Sequence, residues 1–485
     1  MKIYNTLTRS IEELSTIKKD KVNIYCCGPT VYGMPHVGNF RTFFFGDQFR
    51  RYLIYRGYNV LYVMNITDID DKTIRDSKKE KLSLKEFTEK YTLEFFRGCS
   101  WLNIEPANVH PKATDHIDDM IELIKTLEKK GLAYEKDGSV YYSIENFSTY
   151  GDLAQLKMEN LAIGKSVDVD EYDKDNPADF VLWKAAKEDE IKRKIYWDSP
   201  WGKGRPGWHL ECSILSTKYL GDSFDVHIGG VDLIFPHHTN EIAQSEGARD
   251  SKDPFVKYWV HGEFLIVDGK KMSKSLGNYF TMDDLVKEHD PNTIRMYFLN
   301  SHYRDVLNFT IDSLKQVDSQ RERVKVTLDD LHSELSKKNY LTTEKYGKED
   351  IKLHEELLKF KHDIIEAMDN DFSTPTAMKS LNNMIRSINS CLQNEKSSLN
   401  HSSIHFAHSM LREIFDLFGL FPETSSGGYE QEFVEKLIQD IIDLRNEFRK
   451  EKQWKISDQI RDLMKENGIE LKDLQEGSRW RKIDK

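Results

Sequence analysis

Val22-Asn23-Ile24-Tyr25, running into Cys26-Cys27-Gly28-Pro29-Thr30, is the stretch on which the fold turns. Polar and apolar residues alternate as in a strand, and glycine and proline then break the pattern into a loop that reaches Gly38. From Asn39 to Arg56 the apolar residues Phe40, Phe43, Phe44, Phe49, Leu53 and Ile54 recur near helical spacing, and Gly57 is placed to stop the helix. Val60-Leu61-Tyr62-Val63-Met64 reads as a buried strand. Strand, helix and strand in succession predict a parallel sheet, and the fold class expected is α/β with a Rossmann-like nucleotide-binding core.

Working outward, strand signals return at Phe224-Asp225-Val226-His227 and from Phe255 to Val260, with a helical segment from Pro236 to Gly247 between them. This is expected to be the second half of a split core. Between Tyr91 and Pro200 a helical stretch precedes a hairpin around Asp137-Gly138, with Val140-Tyr141-Tyr142 on its return arm, as an inserted subdomain would give. The acidic run Asp168 to Asp175 reads as a solvated loop. From Ser313 to Leu420 the helical pattern is nearly continuous, which predicts a bundle, and Glu423-Thr424-Ser425-Ser426-Gly427-Gly428 looks like a linker to a small C-terminal domain. The expected division is therefore 1–100 and 201–260 for the two core halves, 101–200 for the insertion, 261–312 for a connecting region, 313–422 for the bundle and 429–485 for the last domain.

Composition excludes several classes. The 485 residues carry 31% charged side chains, mean hydropathy is −0.63, and no apolar run approaches the ~18 residues that span a bilayer. The N-terminus lacks an apolar signal core, so a cytoplasmic location is expected, with no membrane partner. Five cysteines are too few, and odd in number, for a disulfide framework, which turns attention to metal binding or reactivity. A net charge of −11 argues against coating nucleic acid by charge alone.

Two stretches suggest phosphate chemistry. Pro35-His36-Val37-Gly38-Asn39 stands at the mouth of a helix, where unpaired N–H groups and the positive end of the dipole suit an anion. On its own this triplet is weak, and the plainer reading of His36 is a helix cap. Lys271-Met272-Ser273-Lys274-Ser275-Leu276-Gly277-Asn278 follows the strand-like Phe264–Val267 and the turn Asp268-Gly269. Its two lysines can neutralise charge developing on a triphosphate. Cys27, Cys212, His237 and Glu241 form a candidate zinc set, since His237 and Glu241 stand four apart and share a helix face. Cys99 and Cys391 read as buried hydrophobes, and Cys26 points opposite to Cys27.

Together the two phosphate stretches resemble the HIGH and KMSKS signatures of class I aminoacyl-tRNA synthetases, with Asn39 in the place of the final histidine. The likeness extends to the cysteine-specific branch through Cys27-Gly28-Pro29-Thr30-Val31-Tyr32, Asn65-Ile66-Thr67-Asp68-Ile69-Asp70-Asp71-Lys72, Arg205-Pro206-Gly207-Trp208-His209-Leu210-Glu211-Cys212 and Phe235-Pro236-His237-His238 with Asn240-Glu241. The resemblance implies ATP-dependent activation of L-cysteine and its transfer to tRNA(Cys), with Zn2+ on the four-residue set and Mg2+ accompanying ATP. It implies catalytic roles for His36, Lys271 and Lys274, and ATP contacts from His36, Gly38, Asn39, Gly229, Asp232 and Lys274. It also implies an amino-acid pocket with Thr67 and Trp208, a tRNA stem contact in 261–312, and an anticodon-binding C-terminal domain using Arg449, Trp454, Asp458 and Asp473. Residues 445–485 hold 12 Lys/Arg against 9 Asp/Glu, a modestly basic tail in an acidic chain. A monomer is expected. Two other readings stand beside this one: a relative that ligates cysteine to an amino sugar in thiol-cofactor synthesis of the mycothiol type, which would lack the anticodon domain, and a non-catalytic tRNA-binding paralogue, which would have lost the charges of the ATP motifs.

Overall fold

The computed structural model describes residues 1–156, 179–272, 278–337, 346–393, 399–421, 429–466, 469–474 and 477–482. The acidic run 168–175, the linker 423–428 and Lys274 fall outside the described residues. The chain forms two compact units, Met1–Leu420 and Phe421–Lys485.

At the centre of the larger unit lies a four-stranded sheet in the order Val256–Gly262, Phe224–Gly230, Lys21–Cys26, Asn59–Met64, every neighbour parallel. The two middle strands stand about 200 residues apart in the sequence and pair Cys26 with Ile228. From Lys21–Cys26 the chain moves outward through the helix Val37–Tyr55 to Asn59–Met64; from Phe224–Gly230 it moves the other way, through Thr239–Ala248, to Val256–Gly262. The carboxyl ends of the middle strands therefore frame a topological switch point, where open α/β sheets bind ligands.

The first helix begins at Val37, two residues earlier than its apolar spacing suggests, because His36 caps it. Phe40, Phe43, Phe44, Phe45, Phe49 and Tyr52 are all buried along it. Such a helix is covered on more than one side, by the sheet and by the helical layer beyond. A five-stranded antiparallel sheet spans the insertion and runs past the expected bound at 200 to its strand Gly202–Pro206, and its Asp137-Gly138 hairpin has φ of 54° and 78°, the double positive φ of a two-residue turn whose twist suits a hairpin. Four helices, Ile311–Lys337, Lys348–Asp369, Thr374–Leu392 and His401–Phe418, form the expected bundle.

Arg295, fully buried on the helix Pro291–Leu299, ties the bundle to the core. It donates to Phe418 O at 2.6 Å, Leu102 O at 2.5 Å and Asn103 O at 3.0 Å, and pairs with Asp47 Oδ2 at 3.0 Å. Arg295→Met would take a donor from each of those carbonyls, leaving Phe418 O with Gln48 and Asn103 O with Arg51, and would leave Arg51 at 2.9 Å as the one cation paired with Asp47 among the described residues. Breaking a buried pair from one side costs about 3–5 kcal/mol, so chemical denaturation should show the variant unfolding at clearly lower urea.

In the smaller unit, the helices Tyr429–Lys450 and Trp454–Glu466 precede an antiparallel hairpin, Ile469–Leu474 with Gly477–Lys482. Ile438, Ile442 and Met464 are its buried centre, with Trp480 packed against them. Among the described residues no helix is long and apolar enough to cross a membrane.

Candidate active site

Cys27 is the first residue past the Lys21–Cys26 strand, and its N–H donates to Ile228 O at 3.1 Å, which holds it at the seam between the middle strands. Cys212 enters from the first turns of the helix Trp208–Leu220. His237 ends the irregular turn Ile234–His238, and Glu241 follows one turn later in Thr239–Ala248. All four are buried, and their ligand atoms lie within 4.8 Å of one another. Cys27 Sγ is 3.7 Å from Cys212 Sγ and 3.8 Å from Glu241 Oε1, and His237 Nε2 is 3.0 Å from that same oxygen. Around one ion with bonds of about 2.0–2.3 Å, tetrahedral ligands stand roughly 3–4 Å apart, so two sulfurs, one nitrogen and one oxygen here fit a metal site.

A shell of histidines surrounds this cluster. His227 Nε2 meets Glu241 Oε2 at 2.9 Å, and His209 Nδ1 meets His237 Nδ1 at 2.8 Å. On the far side Thr6 Oγ1 lies 2.7 Å from His261 Nδ1, His261 Nε2 2.8 Å from His238 Nδ1, and His238 Nε2 3.3 Å from Cys27 Sγ. Burial pulls His238 and His209 well below the usual imidazole range and His261 to about 3. With both rings neutral, two proton orders satisfy the whole run, one donating from Thr6 through His261 and His238 to the Cys27 sulfur and the other donating from the Cys27 thiol back to Thr6. Cys27, His227, His238 and Glu241 form a second converging set that shares two members with the first.

The electrostatics suit deprotonated ligands. Burial opposes the charge of Glu241, but the rings of His227 and His237 hold it at about 2. Burial also opposes a thiolate at Cys212, yet the hydrogen bond with Cys27 and the His237 ring bring it down to about 6, while burial drives Cys27 upward. The two sulfurs thus share one negative charge more readily than two in the protein alone, which a cation would change.

Trp208 lies over the cluster, its ring 4.3 Å from that of His237 between centroids. Thr67 is buried, donates to Glu211 Oε2 at 2.7 Å and accepts from Asn65 Nδ2 at 3.1 Å. At the mouth of the first helix His36 Nδ1 accepts the Asn39 N–H at 3.3 Å, while Asn39 Oδ1 accepts the His36 N–H at 3.2 Å. The plainer reading of His36 as a cap is therefore correct, and Asn39 reciprocates as a capping box. This motif docks on the segment just after the lysine-rich loop: Val37 N–H reaches Phe280 O at 3.1 Å, Tyr279 Oη donates to Met34 O at 3.1 Å, and its ring meets His36 edge-on at 5.2 Å. The first signature thus packs against Tyr279 and Phe280, the residues that follow the second in the sequence. Lys271 ends the short strand Lys270–Lys271, and its side chain is outside the described residues. Asp232 is exposed on the turn Val231–Leu233 after the second middle strand. A Cβ at Gly229 would stand 2.5 Å from His238 Cε1, so the missing side chain there makes room for that ring.

Residues 13–319 match the model of the tRNA synthetases class I (C) catalytic domain, and residues 363–422 match the DALR domain. Over 484 residues the chain is 47% identical to a cysteine–tRNA ligase of Methanosarcina mazei, covering 100% of this chain and 99% of that one. The chain belongs to the cysteine–tRNA ligase family. A second cysteine–tRNA ligase, from Methanosarcina acetivorans, is 46% identical over the same span. Among solved structures, a methionyl-tRNA synthetase of Mycobacterium tuberculosis bound to methionyl-adenylate superposes with TM-score 0.60 at 12% identity, over 82% of this chain and 92% of that one. A LeuRS–tRNA complex from Agrobacterium radiobacter gives TM-score 0.59 at 13% identity, over 84% of each chain. These two likenesses speak for the fold, a class I parallel sheet with a helical domain behind it.

The remaining candidates lie in the smaller unit. Arg449 stands in the last turn of Tyr429–Lys450, and Trp454, 57% exposed, opens the next helix. Asp458 pairs with Arg461 at 3.2 Å. Asp473 lies in the strand Ile469–Leu474, its side chain outside the described residues.

Proposed function

We propose that the protein activates L-cysteine with ATP and Mg2+ to cysteinyl-adenylate and pyrophosphate, then passes the cysteinyl group to the 3′-terminal adenosine of tRNA(Cys). The observation that carries this reading is the convergence of Cys27, Cys212, His237 and Glu241 at the switch point of the sheet. We assign Zn2+ to that set. Zinc held there would take the substrate thiolate as a further partner and leave a serine hydroxyl with a far weaker one. A binding difference of that kind removes the need for a separate editing step.

The other roles belong to the chain. Trp208 closes the pocket over the small side chain, and Thr67 lines it. With Nδ1 accepting the Asn39 N–H, a neutral His36 carries its proton on Nε2, and we assign that N–H to a phosphate oxygen. Gly38, Asn39, Gly229 and Asp232 complete the proposed ATP site, and Lys271 and Lys274 supply positive charge to the triphosphate. The proposed anticodon surface is Arg449, Trp454, Asp458 and Asp473, an exposed ring among charged groups suited to unpaired bases. The proposed setting is the cytoplasm and the proposed state a monomer.

The test is cysteine-dependent ATP–pyrophosphate exchange by the purified full-length protein, followed by charging of tRNA with the cysteine anticodon. Both are expected. Exchange without charging would favour the amino-sugar ligase instead.

A further inference from the structure

Glu211 sits beside Cys212 on the Trp208–Leu220 helix and is only 1% exposed. Its Oε2 accepts the Thr67 hydroxyl at 2.7 Å, but its Oε1 is buried with no hydrogen-bond partner among the described residues. An orphan of this kind is costly in either protonation state. Such groups call for an explanation, and a missing ligand is one.

The surroundings indicate which ligand. Asn65 Oδ1 lies 3.9 Å from Cys212 Sγ and accepts the Gly28 N–H at 2.7 Å, while Asn65 Nδ2 donates to Thr67 Oγ1 at 3.1 Å. Cys212, Asn65, Thr67 and Glu211 are thus linked contact by contact, starting at the metal cluster. The Thr67 hydroxyl accepts one hydrogen bond, donates one, and has a single lone pair left. The neighbouring carboxylates are already in use. Asp68 accepts from the Thr114 N–H at 3.0 Å and the Thr114 hydroxyl at 2.5 Å, and Asp70 caps the helix Asp71–Lys79 through the Lys72 N–H at 2.8 Å. In a cysteine molecule the sulfur and the amino nitrogen are three bonds apart, roughly 3–4 Å. A substrate whose thiol is held at the cluster carries its ammonium group only that far away, and this run of residues starts there.

We propose that Glu211 is the counter-ion of the substrate's α-ammonium group, with Oε1 taking one N–H and the spare lone pair of Thr67 another. The assignment rests on the activation of cysteine proposed above. It gives the site a second point of recognition, at the opposite end of the substrate from the thiol.

The experiment uses two thiols of nearly the same size as competitors of cysteine-dependent pyrophosphate exchange: cysteamine, with an ammonium group, and 2-mercaptoethanol, with a hydroxyl in its place. In the parent, cysteamine should inhibit about 10–100-fold more tightly, the range of a hydrogen bond to a charged group. In Glu211→Gln that preference should shrink to a few-fold and KM for cysteine should rise by a similar factor, with zinc retention against a chelator and melting temperature as in the parent. A preference that persists in a folded, zinc-retaining variant overturns the assignment. Equal inhibition by the two thiols in the parent overturns it without recourse to any variant. Lack of cysteine-dependent exchange in the parent would overturn the functional reading itself, and the assignment with it.

Discussion

Cys212→Ser should cost the protein the proposed zinc and, with it, the proposed preference for cysteine over serine. Cys212 Sγ stands 3.7 Å from Cys27 Sγ inside a cluster whose four ligand atoms all lie within 4.8 Å. A serine oxygen would point the same way, but a hydroxyl is a poor ligand to a borderline-soft ion and stays protonated near neutral pH. The variant keeps only Cys27, whose thiol burial pushes toward the neutral form, beside His237 and Glu241. Since removing a group that only hydrogen-bonds to a ligand already costs about 10–100-fold in metal affinity, loss of a direct ligand should exceed a hundredfold. Competition with a chromophoric chelator measures this, and the ratio of cysteine- to serine-dependent exchange measures selectivity. Parental zinc retention and selectivity in this variant would dismiss the four-residue site. Because Glu211 and Trp208 flank Cys212 on the same helix, a melting curve must accompany the assay so that a local collapse is not mistaken for metal loss.

The four proposed ligands were legible in the sequence. The spacing of four puts His237 and Glu241 on one helical face, whereas Cys27 and Cys212 could equally have been buried hydrophobes and were singled out as ligands by the resemblance of their strings to the cysteine-specific branch. The parallel core was legible because Val22–Tyr25 and Val60–Met64 flank a helix of recurring phenylalanines. The histidine shell was not. His227 and His261 lie within strands buried on both faces, where the expected pattern is an unbroken apolar run, and a polar ring inside such a run was the one available signal. Thr6 joins the network through a contact with His261 across 255 positions, which no local pattern could carry. Glu211 was quoted within its motif without a role, since an unpaired oxygen is visible only in three dimensions. Gly229 was expected to admit a nucleotide, and the structure adds a packing reason, the His238 ring beside it. Asn39, which departs from the usual family signature, gains its explanation only from the cap geometry.

That cap makes the second large effect unusually separable. His36→Asn should leave the fold intact and slow pyrophosphate exchange by about 10²–10³, the loss expected when one preorganised donor to a developing negative charge is removed. Asparagine is among the best N-cap residues, so the first turn of the Val37–Tyr55 helix keeps a partner for its N–H groups. The shorter side chain has no group at the position of the imidazole Nε2. A His36 that serves only as a cap predicts near-parental exchange for this variant and a loss of roughly 1 kcal/mol of stability for His36→Ala. A His36 that also donates to phosphate predicts similarly slow exchange in both variants, with only the alanine variant losing stability. The KM for cysteine should hardly move, because the proposed amino-acid site is built from Cys27, Thr67, Trp208 and Cys212 and not from the mouth of this helix. Rate and stability, measured together on the two variants, thus separate the two roles of one side chain.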